Sequence, residues 1–319
     1  MLNTTIWTLT DGRAGNLRQA QALADALGRA AREWQLAAAA PWRWVAPYEL
    51  PGSASAFGEE FRLALAAPSL MASVLAIGCG RQSALATRLL HDAGARTVQI
   101  LDPRIDPHHW DVVIAPEHDR LQGDNVIRIC GSLHPVDAGW LAAAQQTYLQ
   151  IGALPEPRTL LLLGGSLRTA PLNKKWWRAT AALLGTAIQR DGGSLLISGS
   201  RRTPGWLVQA ARTCLPQVPG VRWFDDSDGP NPYPGLLAWA DRIVVTADSV
   251  NLLSEACATA VPVHVTAAAS VHGRHGRYLG ALLDRGRVRT LHDLDASWPI
   301  VPLIERPRVV AAVRSRLTR

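Results

Sequence analysis

Short apolar runs alternate with amphipathic stretches along almost the whole chain. In the first half, Thr5–Leu9, Val74–Ile77, Thr97–Leu101, Val112–Ala115 and Val126–Ile129 read as buried strands. In the second half the same reading falls on Leu160–Leu163, Ser194–Ser198, Val221–Phe224, Arg242–Thr246 and Val261–Val265. Between them, helical spacing of apolar positions predicts helices at about Asn16–Ala30, Arg81–Ala93, Asp137–Ile151, Asn173–Arg190 and Pro204–Thr213. Further helices are predicted before Asp241, at Val250–Thr259 and at Arg306–Leu317. Strands that are apolar throughout, rather than alternating, are buried on both faces. Separated by helices, they imply parallel α/β sheets covered on both sides.

The rhythm is interrupted at Gly152–Arg158 (GALPEPR), which has two prolines and no periodicity and reads as a linker. This predicts an N-terminal Rossmann-like domain over residues 1–152 and a C-terminal one over 153–319, with the last helix, 306–317, packing back across the linker. Trp34–Leu70 has no clear period. Its PWRWVAPYELP stretch reads as a packed loop or as a surface that touches a membrane or an acceptor, since Trp suits such interfaces.

Composition narrows the partners. The 319 residues carry a formal charge of +7, which favours acidic ligands: nucleotides, phospholipid headgroups or nucleic acid. Among the 33 Lys and Arg residues only Lys174 and Lys175 are lysine, which argues against Schiff-base chemistry elsewhere and favours bidentate phosphate contacts by Arg. Cys79, Cys130, Cys214 and Cys257 form no CxxC pair and read as reduced, buried thiols of a cytoplasmic protein. The N-terminus has Asp11 and Arg13 early and no long apolar core, so it does not read as a secretion signal, and no apolar run has the length of a membrane span.

Ligands of open α/β sheets bind just past strand carboxyl ends, and the candidate chemistry lies there. In VVTADSVNLLSEACATAVPV (Val244–Val263), Asp248 and Ser249 are good caps for the following helix, whose free N–H groups attract phosphate. Glu255 lies about two turns in and can accept hydrogen bonds from a ribose diol. In SGSRRTP (Ser198–Pro204), Ser200, Arg201 and Arg202 stand before a helix start, where the two guanidiniums can neutralise a diphosphate. Gly164, Gly165 and Ser166 can bring backbone close to a phosphate, but no GK[ST] follows, so this is no Walker motif. Asn231 and Tyr233 of the NPY turn can read a base or a sugar. In the first half, TDGRAGN (Thr10–Asn16) offers Asp11 as a carboxylate, with Gly12, Arg13, Gly15 and Asn16 around it. GCGRQS (Gly78–Ser83) is a partial Gly-rich loop with Gly80 and Arg81. His118, after a first-half strand, is a second candidate base or acceptor contact, or a surface histidine. His272 and His275 have i,i+3 spacing without a third ligand, so no metal site is expected.

TDGRAGN, SRRTP, NPY and TADSVNLLSEA…PV, in this order and spacing, resemble the mitochondrial-fission ELM family of plants and its bacterial relatives. Ala260 departs from that pattern, in which a Gly precedes Pro262. The resemblance implies glycosyltransferases of the GT-B type: two Rossmann-like domains facing across a cleft, the nucleotide-sugar donor on the C-terminal one and the acceptor on the other. It also implies that Glu255 holds the donor ribose.

The expected activity is metal-independent glycosyl transfer to a hydroxyl acceptor, such as an envelope or lipid-linked saccharide. No tightly bound cofactor is expected. Arg201, Arg202 and the Ser249 helix end would stabilise the leaving diphosphate, with Asp11, or failing it His118, as base. The location expected is cytoplasmic, peripheral at an anionic inner-membrane face. The alternative is a non-catalytic nucleotide-binding or adaptor protein that keeps the fold. A sugar-nucleotide epimerase or dehydrogenase is not expected: the short-chain version needs a catalytic Tyr with a Lys four residues on, and none of Tyr48, Tyr148, Tyr233 and Tyr278 has one. Basic residues are scattered and no nucleic-acid module is present, so nucleic acid is not an expected partner.

Overall fold

The computed structural model describes residues 5–28, 30–168, 170–268, 271–292 and 294–318. Two compact units form, one from Met1–Pro135 with Glu305–Arg319, the other from Val136–Ile304.

In the first unit, strands β1 (Thr5–Thr10), β2 (Ala31–Gln35), β3 (Val74–Cys79), β4 (Arg96–Ile100), β5 (Val112–Pro116) and β6 (Val126–Ile129) make one sheet in the order β2-β1-β3-β4-β5-β6. Every pairing is parallel. Successive residues of a strand point to opposite faces, so Ile6 and Trp7 enter different cores. Ile6, Ile77, Val98 and Ile114 pack with helix Ala14–Ala26 and with Val309 and Val313 of the last helix, Arg306–Leu317. On the other face Trp7 and Leu9 join Trp34, Phe61, Met71 and Leu85.

The second unit repeats the plan with β7 (Arg158–Leu163), β8 (Ser194–Gly199), β9 (Gly220–Trp223), β10 (Arg242–Thr246), β11 (Val263–Thr266) and β12 (Arg289–Thr290), in the order β12-β11-β10-β7-β8-β9. All its pairings are parallel as well. Leu160–Leu163 are fully buried, as an apolar parallel strand requires. The sheet runs outward in chain order from β7 to β9 on one side and from β10 to β12 on the other. Its topological switch point is therefore the β7–β10 junction; that of the first sheet lies between β1 and β3.

The division differs from the one read in the sequence. It falls at Pro135, not at residue 152, because helix Ala138–Thr147 packs against helix Tyr233–Trp239 of the second unit, with Gln145 donating to the Ala238 carbonyl at 2.9 Å. GALPEPR is no free linker either. Its Arg158 begins β7, is buried, and binds Asp241, Glu156 and the Gly152 carbonyl. The last helix does return to the first unit, where the Glu305 carboxylate accepts from the Cys130 amide at 3.0 Å. All four cysteines are free and buried, and burial pushes the Cys79 thiol well above its ordinary range. No helix among the described residues is long and apolar enough to cross a membrane.

Candidate functional site

At the switch point of the second sheet, three loops are joined by one carboxylate. Asp248 follows β10 and is nearly inaccessible, with its side chain 2% exposed. Its Oδ1 accepts from the Thr246 hydroxyl at 2.6 Å. Its Oδ2 accepts from the Gly165 amide at 2.7 Å and meets Nη2 of Arg202 at 2.9 Å. Thr246 in turn accepts from the Gly164 amide at 2.8 Å. From the β8 loop, the Thr203 hydroxyl donates to the Leu163 carbonyl at 2.8 Å and accepts from the Ser200 amide at 2.8 Å, while Ser200 Oγ accepts from the Arg202 amide.

These bonds correct the reading of the glycines. The amides of Gly164 and Gly165 are taken up by Thr246 and Asp248, so they do not face a phosphate. Both residues are glycine because of close approach: a Cβ on Gly164 would collide with Oδ1 of Asp248, and one on Gly165 would lie 2.9 Å from Cβ of Arg202. Gly164→Ala is expected to destabilise the protein by roughly 2 kcal/mol through overpacking, measured as a lower denaturation midpoint with an unchanged slope. Ser166 is exposed, with its Oγ accepting from the Leu172 amide at 3.1 Å. Asp248 is a structural clasp here, not an open donor contact.

The same clasp separates the two arginines. Arg202 is paired with Asp248, whereas Arg201 is exposed and makes no hydrogen bond or ion pair among the described residues. Helix Val250–Cys257 starts beside them with Ser249 as N-cap, its side chain accepting from the Leu252 amide. Glu255 is 1% exposed, and its Oε2 accepts from the hydroxyl of Tyr233, itself buried. Asn231 holds the start of helix Tyr233–Trp239 by accepting from the Tyr233 amide at 2.9 Å. The acidic run before it is a capped turn. Asp228 accepts from Arg212 at 2.8 Å, and that guanidinium holds its carboxyl below the usual range.

At the switch point of the first sheet, Asp11 Oδ1 accepts from Asn16 Nδ2 at 2.8 Å and from the Arg13 amide at 3.2 Å, and Arg13 Nε lies 3.3 Å from Oδ2. Gly12 has φ +73° and Gly80 φ +97°, and a Cβ on Gly80 would lie 2.6 Å from Asn16 Nδ2. The structure therefore brings Asp11, Gly12, Arg13, Asn16 and Gly80 together, with Gly15 in the first turn of helix Ala14–Ala26 and Arg81 opening helix Arg81–Asp92. It does not bring His118 there. His118 is buried in the turn after β5, three strands along the sheet from β1, a separation of about 14 Å. One hydroxyl cannot be served by both, and the surface position considered for His118 is not found.

Residues 14–317 match the family described as Mitochondrial fission ELM1. The chain belongs to that family. It is 31% identical over 278 residues, 76% of its length, to the mitochondrial fission protein ELM1 of Arabidopsis thaliana, and the match spans 64% of the plant protein. Among solved structures it resembles a UDP-GlcNAc 2-epimerase from Methanocaldococcus jannaschii (TM-score 0.53, 11% identity, 99% of this chain and 100% of that one). It also resembles a glycosyltransferase from Rickettsia africae ESF-5 (TM-score 0.52, 10% identity, 98% and 89%). At such identities the likeness establishes the fold, which is α/β and GT-B-like. That fold houses both transfer and epimerisation, and the Tyr/Lys argument against short-chain enzymes does not bear on it.

Within the ELM fold three structural residues went unnoticed in the sequence. Thr246 and Thr203 bridge the loops, and each stands at or just past the end of a predicted strand. Arg287 is buried and donates to the carbonyls of Ala256, Cys257, Thr259 and Val261, closing the carboxyl end of helix Val250–Cys257. A glycine C-cap is one way to satisfy such carbonyls, and a buried guanidinium is another.

Proposed function

We propose that the second unit binds a nucleotide-sugar donor at the β7–β10 switch point and that the protein transfers the sugar to the hydroxyl of an envelope or lipid-linked saccharide. The observation that carries this reading is the convergence of three loops on Asp248, which takes up Arg202 and leaves the exposed Arg201 guanidinium unpaired among the described residues, next to a capped helix start. Arg201 and the N–H groups of that helix supply positive charge to a departing diphosphate. Glu255 takes the ribose. The acceptor hydroxyl displaces the diphosphate at the anomeric carbon and gives its proton to a general base, for which the Asp11 carboxylate is the first candidate and the His118 imidazole the second.

A thermal-shift screen against UDP, GDP, ADP, CMP and dTDP and their sugars tests the donor site. A ligand that binds only the folded state raises the melting temperature by mass action. One nucleotide class is expected to give a clear shift. Arg201→Ala should weaken binding by about tenfold while leaving the unliganded melting temperature unchanged, because Arg201 has no hydrogen bond or ion pair among the described residues. Arg202→Ala should lower the unliganded melting temperature instead.

One observation favours the second reading, a non-catalytic nucleotide-binding or adaptor protein. Asp11, the first candidate base, has both oxygens engaged by Arg13 and Asn16. Nucleotide binding without release of nucleoside diphosphate from any sugar nucleotide, acceptor extract included, would establish that reading. No shift at millimolar ligand would remove the donor site as well.

A further inference from the structure

We propose that Pro41–Leu50 of the first unit is a docking surface for bilayers containing anionic phospholipid. Three large apolar side chains stand in water within seven residues: Trp44 is 63% exposed, Tyr48 58% and Leu50 38%. They are held on an ordered scaffold. Trp42 packs against the Trp34–Phe61 core and its Nε1 donates to the Pro51 carbonyl at 3.3 Å. The Leu50 amide donates to Ser53 Oγ at 2.9 Å. The short helix Trp42–Val45 therefore turns one tryptophan inward and presents the other outward.

The chemistry of the rim selects the partner. Arg43 lies over the Trp44 ring at 5.3 Å, and Nη2 of Arg81 donates to the Arg43 carbonyl at 3.0 Å. Both guanidiniums are exposed and neither has an ion pair among the described residues. The nearby Glu49 is offset by Arg88 at 3.6 Å. Amphipathic aromatic rings beside unpaired arginines suit the headgroup layer, where the rings sit at the level of the glycerol and the cations meet lipid phosphate. Arg81 and Gln82 also tie this surface to the Gly80 turn: Gln82 Oε1 accepts from the Ala38 amide at 2.8 Å. The docking surface stands independently of the donor site, so the two can fail separately.

The test is co-sedimentation of the full chain with vesicles of phosphatidylcholine alone and of phosphatidylcholine with phosphatidylglycerol, at low and high salt. Binding is expected to the phosphatidylglycerol vesicles and to weaken with salt. Trp44→Ser with Tyr48→Ser should lower partitioning on the order of tenfold, and Arg43→Ala about fivefold, each with an unchanged melting temperature. Equal binding to both vesicle types overturns the anionic assignment. No binding, or a double variant that partitions like wild type, overturns the docking surface. So does gel filtration that shows a dimer dissolved by the same two serines, since the patch is then a self-association surface.

Discussion

Asp248→Ala is expected to be the most destabilising single change at the switch point, costing about 3 kcal/mol. The carboxylate is buried and gathers the Thr246 hydroxyl, the Gly165 amide and Arg202. Removing it leaves two neutral donors without their acceptor in a place water does not reach, and such a donor costs the desolvation of the group. Arg202 adds less than a buried partner would, because its side chain is 54% exposed and can turn to solvent. Asp248→Asn keeps the shape and one acceptor oxygen but presents an NH2 group to a donor, so it should cost roughly half as much. The alanine variant should lower the melting temperature on the order of 10 °C. A variant that melts with wild type would mean that the three loops are held by their own turns, and that the clasp contributes nothing measurable.

The clasp also shows where sequence reading stops. The βα rhythm was legible because parallel strands buried on both faces leave a run of apolar residues, as at Leu160–Leu163 and Val112–Ala115. The edge strand β2 left no such run: of Ala31–Gln35 only Trp34 is buried, so its pattern is mostly polar. The short helices between Trp42 and Met71 are too brief for a period to show, and prolines break them up. The motifs at the carboxyl ends of the strands were visible, but not what they touch. Gly165 and Asp248 are separated by 83 positions, and only the parallel pairing of β7 with β10 makes them neighbours. A double glycine after a strand is equally what a phosphate and a buried carboxylate require, because both need backbone without a Cβ. The domain boundary was displaced for a similar reason. Proline marks a break in periodicity, whereas the boundary lies where packing partners change, and helix Ala138–Thr147 packs forward.

The largest functional effect is expected at Glu255. If its carboxylate receives a ribose diol, Glu255→Ala should lower nucleotide affinity on the order of a hundredfold, the loss of two hydrogen bonds to a charged group. Glu255→Gln keeps the volume and an acceptor oxygen, so it separates the charge from the cavity and should fall between alanine and wild type. Because Glu255 is buried under the Tyr233 hydroxyl, a diol reaching this carboxylate competes with Tyr233 for Oε2. This gives the neighbouring variant a distinct sign. Tyr233→Phe removes the competing donor and should bind nucleotide at least as tightly as wild type, although it loses a bond in the unliganded state. Calorimetric titration with the nucleotide identified by the thermal screen would read all three variants. If Tyr233→Phe weakens binding as much as Glu255→Ala does, the tyrosine itself contacts the ligand and the pair acts as one polar surface. If Glu255→Ala binds like wild type, the carboxylate serves only to anchor helix Tyr233–Trp239 to helix Val250–Cys257. The donor would then have to be held by Arg201 and the Ser249 helix start alone, an arrangement that recognises a diphosphate without reading the nucleoside attached to it.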